Sequence, residues 1–62
     1  MYKIQLRRKN STDCWRYVNT EKLSLSIYPH TATAFDTRIQ AEFACIHLKG
    51  RFNFVETLII ED

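Results

Sequence analysis

Glycine and proline are almost missing from this chain of 62 residues, which has one of each, Gly50 and Pro29. That scarcity excludes a Pro/Gly-rich disordered segment and a loop-rich scaffold. A lone glycine also cannot build the glycine-rich cradle of a phosphate-binding loop. Cysteine is sparse as well. Cys14 and Cys45 are too few and too widely spaced for the disulfide framework of a small secreted domain. The opening Met1-Tyr2-Lys3-Ile4-Gln5-Leu6-Arg7-Arg8-Lys9 scatters charge where a signal peptide would need an apolar core. Apolar runs such as Leu58-Ile59-Ile60 fall far short of the ~20 residues that cross a bilayer. The expectation is a cytoplasmic protein, not associated with a membrane, whose thiols stay reduced.

What is present fits one domain, residues 1–62. A chain this short buries only ~60% of the surface its unfolded form exposes, so it folds with little margin, and domains of this size are usually reinforced by disulfides, a metal or self-association. Aromatic residues make up 13% of it, enough to build a core that Val and Ala could not. The net charge of +2 conceals a division. Residues 1–31 carry six basic against two acidic side chains, and residues 32–62 carry three against five. Such a dipolar surface suits the steering of a charged partner or head-to-tail association.

Tyr2, Ile4 and Leu6 alternate with Lys3, Gln5 and Arg7, the period of a half-buried strand with its basic side outward. The polar cluster 9–13 reads as a turn, followed by a second strand over 14–18 with Trp15 and Tyr17 on one face. After a turn at 19–22, Leu23, Leu25 and Ile27 alternate with Ser24, Ser26 and Tyr28 in a third strand that Pro29 ends. Thr37-Arg38-Ile39-Gln40 fits a helix capping box, and Gly50 offers a left-handed terminator, which predicts a helix over 37–49. Its core stripe reads as Ile39, Phe43 and Ile46. Residues 51–61 read as a last strand with Phe52, Phe54, Leu58 and Ile60 on one face, interrupted by Glu56 at a bulge or at the strand's exit from the sheet. The fold class is therefore α+β, β-β-β-α-β, a mainly antiparallel sheet with one helix packed on one face. If the last strand lies parallel beside the first, the helix crosses right-handed and the strand order is 3-2-1-4.

The residues offer little chemistry for catalysis. Cys14, His30, Cys45 and His47 have the right side chains for zinc, but none of the close ligand pairs of structural sites. Cys45 and His47, two apart on a helix, diverge. They read as ordinary thiols and surface histidines. No nucleophile motif or carboxylate pair is apparent, so no catalytic residue, metal or cofactor is expected and the chain is not expected to be an enzyme.

Surfaces remain. Lys3, Gln5, Arg7, Arg16, Ser24, Ser26, Tyr28, Arg51 and Asn53 are candidates for the open side of the sheet. Basic residues around an aromatic have the chemistry of single-strand nucleic-acid platforms, although such platforms expose two or three aromatics and Tyr28 stands alone. A solvated sheet face, edged by lysine and arginine, is the plainer account. On the helix, Ala41, Ala44 and Leu48 fall on the side away from the expected core. They are either a contact surface for a second copy or a protein, or good helix formers with Leu48 tucked under a loop.

Beyond this, residues 28–60, with Ala34-Phe35-Asp36-Thr37 leading into a helix with Gln40-Ala41 and then a closing strand, resemble small accessory proteins of bacteriophages and prophages. The resemblance implies a compact inhibitor or modulator that docks on a host macromolecule such as RNA polymerase, a CRISPR effector or a nuclease. Many such proteins are acidic DNA mimics. This chain is not acidic, which favours protein docking over mimicry.

The expectation is thus a non-enzymatic protein-binding module with Lys3, Arg7, Arg8, Lys9, Arg16, Tyr28 and Arg51 as partner-binding residues. Weak nucleic-acid binding through the basic sheet face is the alternative. A homodimer through Ala41, Ala44 and Leu48 is the third.

Overall fold

The computed structural model describes residues 1–61. Four strands, β1 (Tyr2–Arg8), β2 (Arg16–Asn19), β3 (Ser24–Ser26) and β4 (Val55–Glu61), form one open sheet, and a single helix, α1 (Arg38–Arg51), packs on it. A short 3-10 turn, Pro29–Thr31, follows β3. No helix among the described residues is long and apolar enough to cross a membrane.

The sheet order is β3-β2-β1-β4, as the sequence suggests, but every neighbour is antiparallel, β4 included. The connection between β3 and α1 explains the reversal. Phe35 exchanges both backbone hydrogen bonds with Tyr2 at 2.8 Å, and the Thr33 amide donates to the Val18 carbonyl. This segment therefore carries the chain back to the start of β1 before the helix begins. The helix then returns it to the other end, and β4 must run against β1, in register from Tyr2↔Glu61 to Arg8↔Val55.

The capping box forms. The Gln40 amide donates to Thr37 Oγ1 at 3.2 Å, and Gln40 Oε1 accepts from the Thr37 and Asp36 amides. The far end differs from expectation. Gly50 lies within the helix and no glycine has positive φ. The helix runs on to Arg51 and closes when the Phe52 amide donates to the Leu48 carbonyl. Residues 52–54 become a turn, and β4 starts only at Val55. Its parity follows from the pairing: Val55, Thr57 and Ile59 share the helix side with Ile4 and Leu6, while Glu56, Leu58 and Ile60 share the other side with Lys3, Gln5 and Arg7. Glu56 interrupts nothing; it stands directly across from Arg7, in a ladder without a bulge.

The largest correction concerns the helix faces. The core is Ile4, Leu6, Val18, Ala41, Cys45, Leu48 and Val55, flanked by half-buried Ala44 and Phe52. Ala41 and Leu48, expected outside, are inside. Ile39, Phe43 and Ile46, expected inside, are 64%, 62% and 64% exposed. Small side chains at Ala41, Ala44 and Cys45 let the helix backbone lie close against Ile4, which no bulky stripe would permit. The expectation of self-association through Ala41, Ala44 and Leu48 therefore rests on side chains already packed against the sheet.

Candidate functional site

The helix packs against β1 and β4. On the same side of the sheet the β2–β3 half lies open, and there a groove of about 480 Å³ runs between the helix end and the β3 edge. Its apolar walls include Leu6 and Val18 from the sheet, Leu48 and Phe52 from the helix end, and exposed Leu23, Leu25 and Phe54 at the mouth. Leu25 pairs with Val18 across β2–β3, which fixes it on the groove side. Arg8, Arg16 and Asp13 form a polar rim. Arg16 sits across from Leu6, so it also faces the groove rather than the open side of the sheet.

The hairpin carrying Leu23 is held firmly. Asn19 Oδ1 accepts from the amides of Glu21 and Lys22, Asn19 Nδ2 donates to the Thr31 carbonyl, and the Thr20 amide donates to Thr33 Oγ1. Within this frame Leu23 adopts φ 52°, a left-handed conformation that costs a non-glycine residue ~1–2 kcal/mol. Asn10, at φ 57°, shares the conformation at lower cost because asparagine tolerates it. A leucine so placed, with about half its surface exposed, presents its side chain at the groove mouth at the expense of its backbone.

The basic residues singled out in the sequence do not form one patch. Arg7, on the open side, is tied by its Nε to Glu56 at 2.8 Å and stacks over Trp15, 4.5 Å from the ring centre. Arg8 donates to Asp13 at 2.7 Å, and Ser11 closes the same loop by donating to the Arg8 carbonyl. The Arg8 hydrogen bond holds the Asp13 carboxyl below the usual carboxylate range, and the same contact raises the Arg8 guanidinium above its ordinary value. Lys9 lies beyond β1 near Trp15, Lys49 and Glu56. Tyr28 precedes the 3-10 turn with its ring 5.8 Å from that of His30, and Arg51 ends the helix over Phe52 at 5.9 Å. By register Lys3 and Arg7 face the open side, though Arg7 also borders the groove, while Arg8 and Arg16 face the groove. Arg16 alone of the groove arginines makes no ion pair among the described residues.

The groove itself was not foreseen, because its walls come from residues remote in sequence. The sequence pattern places Leu23 and Leu25 within a strand over 23–28; the structure keeps only Ser24–Ser26 as strand and leaves both leucines about half exposed. Cys14 is exposed and Cys45 is buried, and among the described residues no group of three His, Cys, Asp or Glu side chains gathers to hold a metal ion. Compared with protein-family models, curated proteins and solved structures, the chain gives no match.

Proposed function

We propose that the protein is a non-enzymatic docking module whose groove takes an extended, apolar and acidic segment of a partner protein. The observation that carries this reading is the groove's composition and position: an apolar trough with Arg16 on its rim, bordered by the outer edge of β3, which pairs with no strand among the described residues. An extended segment can add main-chain hydrogen bonds along Ser24–Ser26 while alternate side chains enter beside Leu25 and Phe54. A carboxylate on the segment would meet Arg16, with Arg8 already committed to Asp13. Main-chain pairing of this kind selects a peptide over a compact small molecule. In the mobile-element setting that the sequence resemblance implies, the segment belongs to a host protein, and docking in the cytoplasm modulates that protein's activity.

Nucleic-acid binding draws less support, since Arg7 and Arg8 are neutralised locally and the basic residues divide between two faces of the sheet. The test is a titration of the labelled protein by NMR with extended peptides of alternating apolar and acidic residues. Expected are shifts confined to Leu23, Leu25, Phe54 and Arg16, lost in Leu25→Ser. A control peptide with lysine in place of the acidic residues should bind at least about tenfold more weakly. Shifts that instead follow a single-stranded oligonucleotide, and centre on Lys3 and Arg7, would give preference to the nucleic-acid alternative.

A further inference from the structure

The outward side of α1 carries a second apolar stripe with no counterpart in the domain's own core. Ile39, Phe43, Ile46 and Gly50 recur at intervals of four, three and four residues, the spacing of a helix-pairing seam. The three large side chains are all mostly exposed and stand opposite Ala41, Cys45 and Leu48, which fill the sheet-facing side. A helix that only covers a sheet presents charge to water there. We propose that two copies of this chain pair through α1, antiparallel, about a twofold axis passing between Phe43 and Ile46.

The occupant is a second copy because the stripe complements itself. Antiparallel pairing about that axis sets Phe43 against Ile46 of the second copy, twice. It sets Ile39 over Gly50, where no atom lies within 4 Å of a Cβ position and a bulky side chain finds room. The flanks agree as well. In an antiparallel pair the residues just before Phe43 and Gly50 flank the seam on one side and those just after Ile39 and Ile46 on the other, and each flank meets the same flank of the second helix. Glu42 then faces Lys49 of the second copy, and Lys49 faces Glu42, giving two opposite-charge contacts. Gln40 and His47 meet on the other flank without like charge. Lys49 makes no ion pair among the described residues, and Glu42 holds Arg38 only at 3.3 Å on an exposed surface, so both are available. One helix stripe is smaller than the standard interface of about 1,600 Å², so the association is of the weak, concentration-dependent kind. This pairing leaves the groove on the other side of the helix accessible, so the dimer presents two docking sites.

Sedimentation equilibrium with charge exchange tests the proposal. The native chain should show a concentration-dependent monomer–dimer equilibrium. Glu42→Lys alone and Lys49→Glu alone each bring like charges together and should weaken association at least about tenfold. An equimolar mixture of the two single variants should associate again, because each contact then joins a lysine to a glutamate. All these sites are exposed, and circular dichroism checks that the fold is kept. Four results overturn the proposal: a monomer at every concentration, a dimer indifferent to both substitutions and to Phe43→Ser, a failure of the mixture to associate, or assemblies that grow beyond two copies. Indifference would point to pairing along the free β4 edge. Growth would point to the stripe of one copy entering the groove of the next.

Discussion

The two sides of α1 are both apolar, yet they do opposite things. The sheet side is built from small or slender residues, Ala41, Ala44, Cys45 and Leu48, and it determines how close the helix lies to Ile4. The outer side is built from larger residues, Ile39, Phe43 and Ile46, and it contributes nothing to the domain's own core. Hydrophobicity alone does not say which side of a helix turns inward. In a chain this small, close approach of backbones outweighs the burial of a few large side chains, because one alanine under the helix lets the whole element settle.

That contrast can be broken most sharply at Leu48. Leu48→Ala should cost about 2–5 kcal/mol, enough to remove a cooperative urea transition from a domain of marginal stability. Ile46→Ser, by contrast, should move the midpoint by no more than about 0.5 kcal/mol when measured dilute enough to keep the protein monomeric. Equal losses at the two positions would show that the sides had been assigned wrongly. A smaller effect is expected where the helix begins. Thr37→Ala removes the oxygen that accepts from the Gln40 amide and should lower stability by about 1 kcal/mol in chemical denaturation.

Smaller still, and of opposite sign, is Gly50→Ala. Gly50 holds helical backbone with open space around it, so alanine should raise stability by about 0.4–1 kcal/mol. A loss would mean that the helix ends before residue 50, as a terminator glycine requires.

The smallest effect lies away from the helix, at the rim of the groove. Because the Arg8 hydrogen bond depresses the Asp13 carboxyl in the folded state, this contact contributes to stability above the ordinary carboxylate value of ~3.9. It is lost as pH falls through the depressed folded value. An NMR titration should place the Asp13 midpoint below the ordinary carboxylate range, and Arg8→Gln should bring it back toward that range.

Much of the architecture was legible in local patterns. The alternation of Tyr2, Ile4 and Leu6 announces β1, and Thr37 with Gln40 announces the helix start, because both depend on residues close in sequence. What was hidden depends on distant contacts. The Phe35–Tyr2 pairing sets the direction of β4, and no pattern within 55–61 records it. The continuation of the helix through Gly50 delays the start of β4, and the register with β1 sets the face on which Leu58 and Ile60 lie. Two competing apolar stripes on α1 made the inward side ambiguous. Of the candidate site, Arg16 and Arg8 were named among the basic residues, but their separation from Lys3 and Arg7 onto the groove side needed the β1–β2 register. The groove's walls, Leu6, Leu25 and Phe52, become neighbours only after the sheet and the helix are in place.

The pairing of β1 with β4 bears on how the chain comes to be folded at all. β1 precedes the other strands of this sheet and lies inside it, yet one of its two neighbours is β4, which comes only after the helix. Until Val55–Glu61 leaves the ribosome, one edge of Ile4 and Leu6 has no strand beside it. The hairpin of β1 and β2 is too slight to stand alone, since only Gln5↔Tyr17 and Leu6↔Arg16 pair in it. The sheet therefore closes only once β4 is available, in a step that first pays the entropy of bringing distant segments together. During that interval the apolar side chains of the unfinished sheet are open to chaperones and to other nascent chains.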